Sequence, residues 1–132
     1  MIAAIAAAIV VAVGGWMAVR ATARPRIMVS NPAVDFGPIA ERETIRLEVR
    51  NMGRAPLRVL ALTTSCGCTK AQIGASVIAA GGAEGLSITF DPVAHGPQTG
   101  PARHTVYIRT NDAHAPESEI EVRAVVLKHP SP

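Results

Sequence analysis

From residue 34 onward apolar and polar residues alternate in short runs. Between Thr44 and Asn51, Ile45, Leu47 and Val49 fall on one face and Arg46, Glu48 and Arg50 on the other. That period of two marks a strand with one buried face. Glu119–Lys128 repeats it with Ile120, Val122, Ala124 and Val126 inward, and Leu86, Ile88 and Phe90 do so across Ser87 and Thr89. Leu57–Thr63 is apolar on both faces through Val59, Leu60 and Leu62, which predicts a central strand. Val34–Phe36, Thr69–Ile73 and Thr105–Thr110 read as further short strands.

Turn residues separate these runs: Gly37-Pro38, Asn51-Met52-Gly53, Ala80-Gly81-Gly82-Ala83, Asp91-Pro92, the His95–Pro101 loop and Asn111-Asp112. Gly53 is expected to supply a positive φ, and the Ala80–Ala83 turn suits type I′ or II′ geometry. About seven strands at such spacing predict an all-β, immunoglobulin-like antiparallel β-sandwich over residues 34–128. The inter-sheet disulfide and core tryptophan of antibody domains are absent from the pattern.

The first nineteen residues differ in kind. Met1–Val19 carries no charge and consists mainly of Ala, Ile, Val and Gly, with Trp16 near its end. As a helix it spans about 28 Å, close to the ~30 Å hydrocarbon core of a bilayer. It reads as a transmembrane anchor, or as a secretory signal with Ala21-Thr22-Ala23 as a cleavage site. Ala6, Ala7, Gly14 and Gly15 provide a small-residue surface for close helix contact. Residues 20–33 then form a basic juxtamembrane linker with Pro25 and Pro32, and residues 129–132 a short tail.

The net charge of +3 belongs to that linker. Arg20, Arg24 and Arg26 supply all of it, and beyond them ten Lys and Arg balance ten Asp and Glu. A neutral domain has no electrostatic footprint for nucleic acid. The three arginines, with Trp16, suit lipid headgroups at about 1 kcal/mol per charge. Read by the positive-inside rule, they hold the domain in the cytoplasm.

Thr64-Ser65-Cys66-Gly67-Cys68-Thr69 contains both cysteines, one residue apart. Two such thiolates grip one soft ion, and Cu(I) accepts two-coordinate sulfur. Zinc asks for four ligands, which His95, His104 and His114, all in or near loops, offer to complete. Thiol redox chemistry is the second reading, although no helix N-terminus lowers a thiol pKa here. The third is structural: small buried side chains, or a disulfide staple, at a bend between strands. Asp35, Asp91 and Asp112 sit at strand ends, where carboxylates commonly accept backbone N–H groups. No Ser/His/Asp order, phosphate loop or Rossmann signature is present, so neither an enzyme nor a small-molecule substrate is expected.

Val34-Asp35-Phe36-Gly37, Asn51-Met52-Gly53 with Ala55-Pro56-Leu57, Ser65-Cys66-Gly67-Cys68-Thr69, Phe90-Asp91-Pro92 and Thr110-Asn111-Asp112 together resemble one bacterial family. It is the domain of unknown function 1573, an exported β-sandwich related to Hydin-type immunoglobulin-like domains. The resemblance spans Val34 to Val126, with the Ser-Cys-Gly-Cys-Thr run as its specific element. It implies an immunoglobulin-like fold, an N-terminal signal or anchor, and residence outside the cytoplasmic membrane. It implies no reaction and no obligatory cofactor. The usual Pro-Gly-Glu turn is replaced here by Ala80-Gly81-Gly82-Ala83-Glu84, and neither a basic leader nor a lipobox cysteine lies near the start.

Combined, with the family resemblance outweighing the arginine asymmetry, these readings lead to a non-enzymatic, single-pass protein with its β-domain on the extracytoplasmic side. The expected role is binding or assembly as an accessory subunit of an integral membrane complex. Copper binding or delivery through Cys66 and Cys68 is the alternative.

Overall fold

The computed structural model describes residues 23–128, so the expected anchor, with Trp16 and Arg20, lies outside the described residues. Among the described residues no helix is long and apolar enough to cross a membrane. The described residues form nine strands in two sheets. The first sheet runs in the order β1 (Ile27–Val29), β3 (Glu43–Asn51), β7 (Ala83–Phe90), β5 (Thr69–Ile73). The second runs β2 (Ala33–Ile39), β9 (Glu117–Val126), β8 (Gly100–Thr110), β4 (Leu57–Thr64), β6 (Val77–Ile78). This is an immunoglobulin-like β-sandwich.

The alternating runs do what their period requires. Leu47 and Val49 of β3 and Leu86, Ile88 and Phe90 of β7 turn inward from one sheet. Val34, Phe36, Val106, Ile108, Ile120, Val122, Ala124 and Val126 meet them from the other, and all are buried. Each fully buried side chain of this size contributes about 1.5–3 kcal/mol.

Several expectations change. The sheets are not wholly antiparallel: β2 pairs with β9 in parallel, with a register shift between Asp35 and Pro38. Gly37 sits at that shift with φ +65°, and Asp35 accepts its N–H at 2.8 Å. The predicted linker already contains β1, which pairs with β3 from Ile27↔Asn51 to Val29↔Val49, so the sandwich begins before residue 34. β8 starts at Gly100 rather than Thr105, which puts His104 on a strand. β4 is not central, since β6 beyond it covers only Leu57 and Arg58, and Leu60 is 56% exposed.

Two glycine expectations also change. Gly53 does not have a positive φ. A Cβ there would collide with the carbonyl of Arg24 and the amide of Arg26, so the glycine permits a close crossing of two backbones. In the Ala79–Gly82 turn only Gly81 has a positive φ, +74°, and Gly82 N–H donates to the Ala79 carbonyl at 2.8 Å. That is the pattern of a type II turn.

Candidate functional site

The Cys66–Cys68 turn joins β4 to β5 and so carries the chain from one sheet to the other. Thr69 N–H donates to the Cys66 carbonyl at 3.1 Å, closing a four-residue turn. The Thr64 hydroxyl, shared between the carbonyls of Cys66 and Thr69 at 2.9 Å each, holds the turn's two arms together. Within it Cys66 and Cys68 form a disulfide with Cα atoms 5.2 Å apart. Cys68 is buried and Cys66 half-buried. Gly67 has no positive φ and open space around it, so its backbone freedom is not what brings the sulfurs together.

Two long-range attachments hold the turn against other elements. Ser65 N–H donates to the Thr105 carbonyl and Thr105 N–H donates to the Ser65 hydroxyl, both at 2.9 Å. This reciprocal pair sets the turn beside His104 on β8. On the other side, Asp91 N–H donates to the Cys68 carbonyl at 2.8 Å. Asp91 also organises the loop that follows: its carboxylate accepts the amides of Val93 at 3.0 Å and Ala94 at 3.4 Å, and its carbonyl accepts that of His95 at 3.2 Å. An aspartate cap followed by proline is a favoured start for a single helical turn. Here it delivers His95 to the same place. Arg42 donates to Asp91 at 3.1 Å and, with the Ala94 and Val93 amides, lowers its pKa despite partial burial.

The outcome is a cluster of Cys66, Cys68, His95 and His104, whose ligand atoms all lie within 4.8 Å of one another. The imidazoles of His95 and His104 meet edge to face, centroids 5.3 Å apart, and both pack on Phe90 at 5.9 Å. Phe36 backs Phe90 from the core, also at 5.9 Å. Nε2 of His104 is buried with no hydrogen-bond partner, alone in this among buried side-chain nitrogens and oxygens of the described residues. Burial and the neighbouring His95 push the His104 pKa down, which favours the neutral imidazole. A neutral imidazole with a free nitrogen beside two sulfurs is a donor set of soft-metal character.

His114 does not join the cluster. It is exposed near the opposite end, where its N–H donates to Asp112 at 2.9 Å. Arg24 and Arg26 are exposed at that opposite end too. Arg24 accepts the Arg54 amide at 2.9 Å and Arg26 the Met52 amide at 2.7 Å through their carbonyls.

That end is built on residues the sequence marked only as turns. The buried Asn51 side chain accepts the amides of Arg26 at 3.1 Å and Gly53 at 3.0 Å, and donates to the carbonyls of Ala55 at 2.7 Å and Ile78 at 3.1 Å. The buried carboxylate of Asp112 accepts the amides of Ile27 at 2.9 Å, His114 at 2.9 Å and Ala115 at 3.4 Å. Burial alone would raise the Asp112 pKa; these N–H groups, with Arg26 nearby, outweigh it and lower the value. Both side chains thus fasten the start of β1. β3, nine residues long, separates this fastening from the Cys/His end by about 27 Å.

Fold and site together define an all-β module of the immunoglobulin type, with the Cys/His cluster at one end of its two sheets. Residues 27–126 match the family described as protein of unknown function (DUF1573), and the chain belongs to that family. No curated protein matches it. Among solved structures it is similar to a protein of unknown function from Porphyromonas gingivalis W83, at 28% identity and a TM-score of 0.72. That match covers 76% of this chain and 46% of the other, so the chain spans less than half the length of that relative. The PapD-like domain 7 of human CEP192 shares the fold at 11% identity and a TM-score of 0.61, over 81% of this chain and 89% of the other. The periplasmic chaperone SfaE does so at 13% and 0.59, over 81% and 60%.

Proposed function

We propose that this chain is a non-enzymatic, membrane-tethered binding module, with its β-domain on the extracytoplasmic side, serving as an accessory subunit of a larger membrane protein complex. The observation that carries this is the domain's polarity. The polypeptide comes into the sandwich at one end, clamped there by Asn51 and Asp112, and the opposite end is left clear of that attachment. A domain held by one end from an apolar N-terminal segment presents its far loops to a neighbour.

Two further features support the reading. β5 pairs only with β7, and β4 beyond Val59 has no strand on its outer side, so each sheet offers an unpaired edge among the described residues. Unpaired edges and end loops are the surfaces through which such sandwiches take protein partners. At the far end Val93 and Leu127 stand 63% and 45% exposed.

The test is the size of the native particle extracted from its own membranes in mild detergent. Migration within a large assembly, and release from it on deletion of residues 1–19, is the expected result. Migration as a lone monomer overturns the reading.

A further inference from the structure

We propose that Cys66 and Cys68, once reduced, form a Cu(I) site together with His95 and His104 at the end of the sandwich remote from the start of β1. The inference is independent of the binding-module reading, because a lone monomer can hold the ion equally well.

Four ligand atoms, two sulfurs and two imidazole nitrogens, already lie within 4.8 Å of one another. They come from three separate stretches, and specific hydrogen bonds hold those stretches together: Ser65 with Thr105, and Asp91 with Cys68. A core that merely needed filling at this point would not require two imidazoles. The buried, unpartnered Nε2 of His104 is the second observation. A desolvated nitrogen without a partner is costly, and a metal ion within the cluster supplies an electron-pair acceptor. Phe90 packs against both imidazoles from the core side.

The donor set favours Cu(I). A tetrahedral ion with bonds of about 2.0–2.3 Å needs all four ligand atoms roughly 3.3–3.8 Å from one another. Cu(I) has no such demand: two thiolates suffice, and imidazoles add to them as distance allows. His114, exposed near the other end, takes no part.

In the structure the two sulfurs are bonded to each other, which leaves only the imidazoles as ligands. The metal-binding form arises by exchange with a dithiol. One thiolate of the dithiol attacks a protein sulfur and the Cys66–Cys68 bond breaks. Its second thiolate then displaces that sulfur from the mixed disulfide. Two electrons pass to the protein, each cysteine sulfur gains a proton, and the dithiol leaves as a disulfide. Cu(I) binding subsequently releases both thiol protons.

The experiment is an anaerobic competition titration of the full chain in mild detergent, with Cu(I) against a chromogenic Cu(I) chelator. Expected is one Cu(I) per reduced chain and none competitively held by the oxidised chain. The double variant Cys66→Ser, Cys68→Ser loses binding. His95→Ala and His104→Ala each weaken it severalfold, less than the double cysteine variant does. His114→Ala leaves it unchanged. Histidine side-chain NMR signals of the unsubstituted chain, in which those of His95 and His104 should shift on Cu(I) addition, need no variant to fold. Binding that survives the double cysteine substitution, or His95 and His104 variants that behave like His114→Ala, overturns the site. A reduced chain that binds Zn(II) at the four residues but does not hold Cu(I) against the chelator overturns the choice of metal.

Discussion

Asp112 lies almost entirely out of solvent, 2% exposed, and still carries a carboxylate, because three backbone amides point at it. Its pKa is depressed in the folded state. The stabilisation is therefore fully present above the ordinary aspartate pKa of about 3.9 and is lost as pH falls through the lower folded value. Asp112→Asn should cost about 2 kcal/mol near neutrality. The gap to wild type should narrow below about pH 4, where the wild-type carboxylate also loses its charge. Urea unfolding followed across this range checks both; a gap that stays constant into acid refutes the linkage.

Two glycines make a contrasting pair. Gly53→Ala places a methyl group against the backbone of Arg24–Arg26, where no side chain can yield, and should cost about 1–3 kcal/mol. Gly67→Ala meets nothing within 4 Å and has no positive φ, so it should stay within about 0.5 kcal/mol of wild type. The sequence pointed to a positive φ at Gly53, where the structure shows a close backbone approach instead. A glycine letter does not reveal whether φ, close approach or neither demands it.

Among the elements, those with strict alternation were legible. β3, β7 and β9 follow from inward residues spaced two apart, and β5 was placed at Thr69–Ile73 from the turns around it. β1 and β6 were not, because three- and two-residue strands contain too few positions to establish a period. They exist because longer neighbours offer them edges. β4 misled for a related reason: Leu60 is apolar yet 56% exposed, and apolar residues on both faces do not guarantee a central strand. The Thr64 hydroxyl braces the β4–β5 connection, so Thr64→Val should cost about 1–2 kcal/mol by removing its bond to the Thr69 carbonyl, while the Cys66 carbonyl keeps the Thr69 N–H. Denaturant unfolding in the oxidised state measures it, and a neutral result removes Thr64 as the brace of the turn.

On the scale of the whole molecule, the clamp at Arg26 and Ile27 sets where the domain can be cut. A chain starting at residue 23 retains β1 and both side-chain fastenings, and its melting temperature should match that of the full chain. A chain starting at residue 30 loses β1 and leaves Asn51 and Asp112 each short of an amide donor, which should cost several kcal/mol, at about 1–3 per unsatisfied buried group. Comparable melting of the two would show that β1 is dispensable.

Alternation, turn residues and charge are local properties, and they were enough to establish an all-β sandwich and the roles of Asp35, Asp91 and Asp112 as acceptors of backbone amides. The Ser-Cys-Gly-Cys-Thr run marked the family. Which histidines meet the cysteines was beyond reach of such patterns. Cys68 and His95 are brought together by a hydrogen bond from Asp91, and Ser65 and His104 by one pairing across forty residues. His114 has the same side chain and a similar loop setting in the sequence, yet folding places it near the other end of the molecule. Contacts of this kind depend on how two sheets pack, and no single stretch of chain encodes that.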